Sequence, residues 1–163
     1  MFYRSSFVAA LLATLTRGLP ISSAAAQGEI IITQAKANAG GVTPGDDPGF
    51  PVTLSLPGAY VLGSNLNPPA GKNGLLVTSH NVDIDMNGFR LNGRGVANIG
   101  VYSSFGQSRI HDGFIVAFKS HGISLTGNCN AWTVDNMQII QNGGAGVYGE
   151  ESVTRATSTT TSS

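Results

Sequence analysis

The sequence contains almost no cysteine, little charge and no long hydrophobic run. Only one of its 163 residues is a cysteine, Cys129, and only 11% are charged. A single cysteine cannot form an internal disulfide, which excludes small disulfide-stapled domains and leaves packing as the source of stability. The longest apolar run, Phe7 to Leu15, is too short to cross a bilayer, so we expect no membrane span.

The balance of charges excludes a second group of functions. Lysine and arginine together number 9, as do aspartate and glutamate. Without Arg4 and Arg17, which precede the expected mature chain, 7 basic and 9 acidic residues remain, a net charge of −2. Such a chain has no electrostatic attraction for nucleic acid or for an anionic membrane, and we expect neither as a partner.

Residues 1–26 have the features of a secretory signal peptide. Arg4 supplies the positive start, an apolar stretch follows, and the small residues Ala24-Ala25-Ala26 end the segment. The alternative is an N-terminal helix of the fold. We expect the mature chain to begin near Gln27 and to be secreted or periplasmic.

Glycine is abundant, at 22 of 163 residues, and it marks a repeat. Four glycines each open a run of alternating apolar and polar residues, at intervals of 26, 22 and 24 residues: Gly74, Gly100, Gly122 and Gly146. Each unit contains a short strand, a polar turn, and then two more short strands. A chain that repeats at this period is typical of a solenoid, in which stacked units bury a shared core.

Aligning the units predicts which side chains face inward. The first strands align Leu75, Val101 and Ile123; the columns expected for the second and third strands are Ile84, Ile110 and Val134, then Phe89, Ile115 and Ile139. The predicted fold is an all-β parallel β-helix of about four coils, with three short strands per coil, over residues 51–149. The competing architecture, an antiparallel sandwich, has no reason to recur at one period.

The two ends of the predicted solenoid differ. Residues 27–50 are expected to form an N-terminal cap and loop, with a β-like run at Glu29–Thr33 that covers the open end. Residues 150–163 are polar, and we expect a disordered tail that leaves the last coil incomplete. Either a partner or second copy covers that end, or the chain is a shortened member of a longer family.

Two outward columns carry the ionisable residues that are candidates for chemistry. Asp85, His111 and Asp135 form one column, and Asp83, Arg109 and Thr133 form the other, with an expected Asp83–Arg109 pair. Successive rungs lie about 4.8 Å apart, so two carboxylates would flank the imidazole. This arrangement suits an acid/base catalytic site at Asp85, His111 and Asp135, with Asp83 and Arg109 binding a ligand. The alternative, which we favour, is a solvated charge ladder that pairs the coils without catalysis.

Three segments resemble a known superfamily. LPGAYVLGSNL, NGLLVTSHNVDIDMNGFRLNG and HGISLTGNCNAWTVDNMQIIQNGGAGV are similar to right-handed parallel β-helix proteins of the pectate-lyase-like superfamily, over roughly residues 41–149. The resemblance implies a right-handed, single-stranded β-helix. It does not imply one activity, because the superfamily includes polysaccharide lyases, glycoside hydrolases, epimerases and adhesins. Lyases of this kind typically use calcium with several acidic ligands, and that set is not matched here residue by residue.

Three functions therefore remain open from the sequence. The first is an exported, non-catalytic module that contacts a surface or a carbohydrate. The second is a polysaccharide lyase or glycoside hydrolase, or a fragment of one, acting on an acidic polysaccharide. The third is a structural or adhesive protein that self-associates through its C-terminal end. No metal site and no cofactor are expected, because His80, His111 and His121 lack metal-site spacing and no calcium motif is present.

Overall fold

The chain folds into an all-β solenoid of about four turns. The computed structural model describes residues 28–149 and 156–158, the last three by their backbone alone. The predicted signal peptide lies outside these residues. Among the described residues, no helix is both long and apolar enough to span a membrane.

Twelve strands and one short helix make up the described chain. In order they are β1 Ile30–Ile32, α1 Gln34–Ala39, β2 Val52–Leu54, β3 Gly58–Leu62, β4 Leu75–Val77, β5 Val82–Asp85, β6 Arg90–Asn92, β7 Val101–Ser103, β8 Arg109–Val116, β9 Ile123–Leu125, β10 Trp132–Ile140, β11 Val147–Gly149 and β12 Ala156–Ser158.

The strands form two sheets in which every strand pair is parallel. The larger sheet, which we call sheet A, has the order β1-β3-β5-β8-β10-β12, with β6 also paired to β8. The second, sheet B, has the order β11-β9-β7-β4-β2. Each strand pairs with its counterpart one coil away, so the predicted parallel β-helix is confirmed. An antiparallel sandwich is excluded for the described part of the chain, since all of its strand pairs are parallel.

In two successive coils, the second and third strands of the repeat form one continuous strand, β8 in the first of these coils and β10 in the next. In one coil they are separate, as β5 and β6, but both pair with the single strand β8. The continuous strands β8 and β10 bend at residues in the left-handed region, Asp112 with φ 60° and Asn136 with φ 46°. The bend turns the outer surface of sheet A through a corner.

The recurring glycines are required by close backbone contact. Gly74 sits against the next coil, where a Cβ would lie 2.6 Å from the carbonyl oxygen of Gly100. A Cβ at Gly100 would likewise strike the carbonyl oxygen of Gly122 on the next coil, and it would also strike the side chain of Ile115. The repeat detected in the sequence is therefore a steric requirement of stacking.

The inward columns of the first and second strands are confirmed by the register. Leu75 pairs with Val101 and Val101 with Ile123, and all three are fully buried. The second-strand column is likewise paired and buried: Ile84, Ile110 and Val134. Each such aliphatic side chain contributes roughly 1.5–3 kcal/mol through burial, which makes this stack the main source of stability.

The expected third-strand column was wrong in one position. Leu91, not Phe89, pairs with Ile115, and Ile115 pairs with Ile139. The coil that contains Leu91 has two extra residues at its corner, where Asn87 and Gly88 both have positive φ. The extra turn moves Phe89 out of the column, where it packs only partly buried against the core.

The N-terminal end is closed by residues of the predicted cap. β1 pairs with β3, as expected for a β-like cover over the first coil. The helix α1 was not predicted. The side chain of Thr33 caps it by accepting the N–H of Lys36, and the helix buries Ala37 completely against the core. Asp46 ties the loop to the first coil, since its carboxylate accepts the N–H groups of Val42 and Thr53.

The C-terminal end contains a strand where none was expected. Residues 156–158 form β12, which pairs in parallel with β10 at the position of a second strand. A polar sequence can do this because backbone pairing needs no apolar side chain. The remaining residues of the predicted tail lie outside the described chain.

Candidate functional site

The candidate site lies on the outer surface of sheet A, on β5, β8 and β10. Side chains alternate along a strand, so the buried column at Ile84 and Ile110 directs its neighbours outward. The register pairs Asp85 with His111 and His111 with Asp135. It also pairs Asp83 with Arg109 and Arg109 with Thr133. Both predicted columns therefore exist.

His111 is the centre of the charged residues. Its side chain is only 12% exposed, whereas the surrounding carboxylates are 37–50% exposed. Nε2 lies 3.3 Å from Oδ1 of Asp83, and Nδ1 lies 2.6 Å from Oδ2 of Asp112 and 3.9 Å from Oδ1 of Asp85. Both ring nitrogens thus face carboxylates.

Arg109 does not form the ion pair that was expected. Its guanidinium donates to Oδ2 of Asp135 at 3.0 Å, whereas the expected pair with Asp83 is not formed. The long arginine side chain reaches diagonally to the next coil, because His111 already lies beside Asp83. The predicted Asp83–Arg109 pair was therefore wrong, and the two charges belong to separate contacts.

Asp112 is the residue of this site that the sequence did not reveal. It occupies the left-handed bend of β8, where its Oδ1 accepts a hydrogen bond of 2.6 Å from Nδ2 of Asn136. The pKa of Asp112 is lowered, first by the hydrogen bond from Asn136, then by the hydrogen bond from His111, and further by the charges of His111 and Arg109. One signal in the sequence could have identified Asp112. When His111 is aligned with Asp135, Asp112 is aligned with Asn136, and both are residue types that favour a left-handed bend.

The carboxylates outnumber the cations around His111. Asp83, Asp85 and Asp112 surround the imidazole, while Arg109 is engaged by the fourth carboxylate, Asp135. Oδ1 of Asp83 is buried and has no hydrogen-bond partner among the described residues, although Nε2 of His111 lies nearby. The cluster is thus short of positive charge and of hydrogen-bond donors.

Two shallow grooves border this surface. The first, of about 260 Å³, lies at the corner of β8 and β10 and is lined by Gly88, Asp112, Gly113, Phe114, Asn136, Met137 and Gln138. The second, of about 390 Å³, lies at the start of the same strands and is lined by Asn81, Val82, Asp83, Gln107, Ser108, Arg109, Ala131 and Thr133. Each groove is lined by equivalent positions of successive coils, so each runs along the solenoid axis.

The three residues proposed as catalytic are brought into register but not into one contact. His111 contacts Asp85 through Nδ1, while Asp135 is engaged with Arg109. A general base needs a nitrogen within hydrogen-bond reach of the proton it removes. Both nitrogens of His111 already face carboxylates, so the geometry favours a structural or ligand-holding imidazole over a free base.

The tryptophan, the cysteine and the two other histidines of the described chain make contacts that stabilise the fold, away from the candidate site. Trp132 is buried, and its Nε1 donates to the carbonyl of Phe105 at 2.6 Å. Cys129 is buried beside it. His80 and His121 lie apart from the charged surface, with Nδ1 accepting the backbone N–H of Gly106 and Ala145, respectively.

The chain matches no protein-family model, no curated protein and no solved structure. The functional assignment therefore has to be argued from the geometry of the outer surface of sheet A.

Proposed function

We propose that this chain is an exported β-helix module that contacts a neutral polysaccharide through the outer surface of sheet A, without cleaving it. We further propose that it is a short, right-handed member of the pectate-lyase-like superfamily, on the strength of the segments quoted above. The observation that carries the proposal is the polar surface between two grooves that both follow the solenoid axis.

The shape of the grooves favours a polymer over a small molecule. Sites for small ligands are usually concave clefts that enclose most of the ligand. Both grooves are instead shallow, and the positive-φ turn beside the first recurs on successive coils at Asn87, Asp112 and Asn136. A chain of repeated units that lies along the axis meets one equivalent turn per rung, spaced by about 4.8 Å. Polysaccharides are the exported polymers that present such repeats with many hydroxyl groups.

The charge of the surface favours a neutral polymer. Four carboxylates, Asp83, Asp85, Asp112 and Asp135, face only Arg109 and His111. Ionised carboxylates accept hydrogen bonds from sugar hydroxyls, whereas they repel uronic acids. This argues against the acidic polysaccharide that a pectate-type lyase would require, and so against that alternative function.

Affinity electrophoresis in gels that contain a soluble polysaccharide tests the proposal. Neutral glucans and mannans are compared with polygalacturonate, and retardation by a neutral polymer is expected. Arg109→Gln and Asp135→Asn should weaken retardation, because both residues lie on the polar surface. Arg94→Gln is the matched control, since it removes the same charge from an exposed turn after β6 that lines neither groove.

The competing functions have distinct outcomes in the same samples. Release of unsaturated or reducing ends from any polymer would show catalysis and overturn the non-catalytic part of the proposal. Retardation only by polygalacturonate would overturn the charge argument. A size that increases with concentration, with no retardation by any polymer, would favour self-association through the C-terminal end.

A further inference from the structure

We propose that His111, Asp85 and Asp112 bind one divalent transition-metal ion, with zinc as the representative, on the outer surface of sheet A. The three residues each offer one donor atom, and these atoms lie within 4.8 Å of one another. The inference does not depend on carbohydrate binding. It differs from the expectation drawn from the sequence, which contained no metal-ligand spacing.

The donor atoms are near the separations that a zinc ion requires. Zn–N and Zn–O bonds of about 2.0–2.2 Å in a tetrahedral site place neighbouring donors about 3.3 Å apart. Nδ1 of His111 lies 2.6 Å from Oδ2 of Asp112 and 3.9 Å from Oδ1 of Asp85. One distance has to lengthen and the other to shorten by about 0.6–0.7 Å, and rotation of two half-exposed aspartates provides both changes.

Each of the three donors is oriented by a further group. Asp83 faces Nε2 of His111, an arrangement that orients the ring and presents Nδ1 to the ion. Nδ2 of Asn136 donates to Oδ1 of Asp112 and leaves Oδ2 to the ion. The N–H of Asn87 donates to Oδ1 of Asp85 at 2.6 Å, the oxygen that also faces Nδ1, so this atom would bind the ion through its second lone pair. Carboxylate and amide partners of this kind are typical around metal-bound histidines and aspartates.

Two observations favour a cation on Nδ1 of His111. Three carboxylates surround one imidazole, and Arg109, the nearest guanidinium, is turned away to Asp135. In addition, Oδ1 of Asp83 is buried and accepts no hydrogen bond from the described residues, although Nε2 of His111 lies only 3.3 Å away. An ion on Nδ1 places the ring proton on Nε2, directed at Asp83, and offsets most of the negative charge of the three carboxylates.

The donor set selects the class of ion. Calcium and magnesium prefer oxygen ligands alone, whereas imidazole with carboxylates suits zinc and related first-row ions. Three protein ligands leave the fourth position of a tetrahedral ion to water. Asp112, one of the three ligands, also lines the first groove, and all three aspartates around His111 are partly exposed, so water can reach the site.

The test is a calorimetric titration of the chelator-treated full chain with Zn²⁺, with any affinity tag removed because oligohistidine binds the same ions. Binding of one equivalent is expected. His111→Gln and Asp112→Asn should lower the affinity by more than tenfold, and Asp83→Asn by about tenfold through loss of the orienting carboxylate. Asp135→Asn is the matched control, because its side chain is as exposed as that of Asp112, 47% in each case, and it belongs to the neighbouring contact.

A second measurement on the unmodified chain does not depend on the folding of a variant. Zn²⁺ should shift the imidazole nitrogen NMR signal of Nδ1 in His111 and leave the rings of His80 and His121 unchanged. Binding that is equal in Asp112→Asn and Asp135→Asn, a shift confined to His80 or His121, Ca²⁺ affinity as high as that for Zn²⁺, or no Zn²⁺ binding at all would each overturn the proposal.

Discussion

Arg109 forms its ion pair with Asp135 on the next coil and not with Asp83, the residue directly opposite it on the preceding strand. Nη2 of Arg109 lies 3.0 Å from Oδ2 of Asp135, and both side chains are nearly half exposed. The charged surface is therefore divided into two contacts, one centred on His111 and one on Arg109. This division determines what each substitution on the surface is expected to do.

The Arg109–Asp135 pair is expected to add little to stability. Exposed ion pairs typically contribute about 0.2–1 kcal/mol, because solvent screens the charges and ordering the side chains costs entropy. A double-mutant cycle of Arg109→Gln and Asp135→Asn, measured by urea unfolding, should give a coupling energy in this range. The same cycle with Asp83→Asn in place of Asp135→Asn should give a smaller value. A larger coupling to Asp83 would show that the division of the surface is incorrect.

Gly100→Ala is expected to destabilise the stack. The added Cβ strikes the carbonyl oxygen of Gly122 on the next coil and Cγ2 of Ile115, and neither can move without disturbing a paired strand. Overpacking of this kind typically costs about 1–3 kcal/mol. Thermal unfolding followed by circular dichroism measures the loss.

Gly28→Ala is the control for that substitution. A Cβ at Gly28 meets nothing within 4 Å, so the same change of side chain should leave the melting temperature almost unaltered. Equal melting temperatures for Gly100→Ala and the unmodified chain would mean that the coils can separate enough to admit a methyl group, contrary to the close contact described here.

How much of this could be predicted from the sequence depends on whether a feature is periodic. The columns at Leu75 and Ile84 recur once per coil, so alternation and glycine spacing were sufficient to find them. Phe89 was misplaced because two inserted residues at Asn87-Gly88 change the register locally. A two-residue insertion leaves the alternation intact, because the side-chain period of a strand is two, and only the pairing of Leu91 with Ile115 reveals it.

The candidate site was predictable only in outline. The outward columns follow from strand alternation, which brought Asp85 and His111 together correctly. The partners of His111 and Arg109 were not predictable, because they depend on side-chain reach across coils and on the bend at Asp112. That bend needs a left-handed residue, a conformation that aspartate adopts more readily than most residues. Sequence patterns do not distinguish such an aspartate from one within a strand.

Ile110→Ala is expected to be among the most damaging single substitutions. Ile110 is fully buried and lies between Ile84 and Val134 in the central column of sheet A. Truncation of a buried isoleucine to alanine typically costs about 2–5 kcal/mol, and truncation to valine about 0.5–1.5 kcal/mol. Urea unfolding monitored by the fluorescence of Trp132, the single tryptophan, gives both values. Ile31→Ala is the control, because Ile31 is 55% exposed, and a comparable loss there would contradict the assigned core.

Tyr60 is expected to make the fold sensitive to alkali. The ring is fully buried, its hydroxyl donates to the carbonyl of Leu56 at 2.7 Å, and burial raises its pKa above the ordinary value. Since the folded chain holds this proton more tightly than the unfolded chain, the stabilisation is complete below about pH 10 and is lost as pH rises through the folded pKa. Over that window the free energy of unfolding should fall by up to about 1.4 kcal/mol per pH unit.

The variant Tyr60→Phe tests this expectation. It should lower the free energy of unfolding at neutral pH by about 0.5–1.5 kcal/mol, because the hydrogen bond is lost, and it should lack this part of the alkaline decline. Tyr148→Phe, at a 40% exposed ring, should decline with pH as the unmodified chain does. If Tyr60→Phe and the unmodified chain lose stability in parallel above pH 10, ionisation of Tyr60 is not the cause.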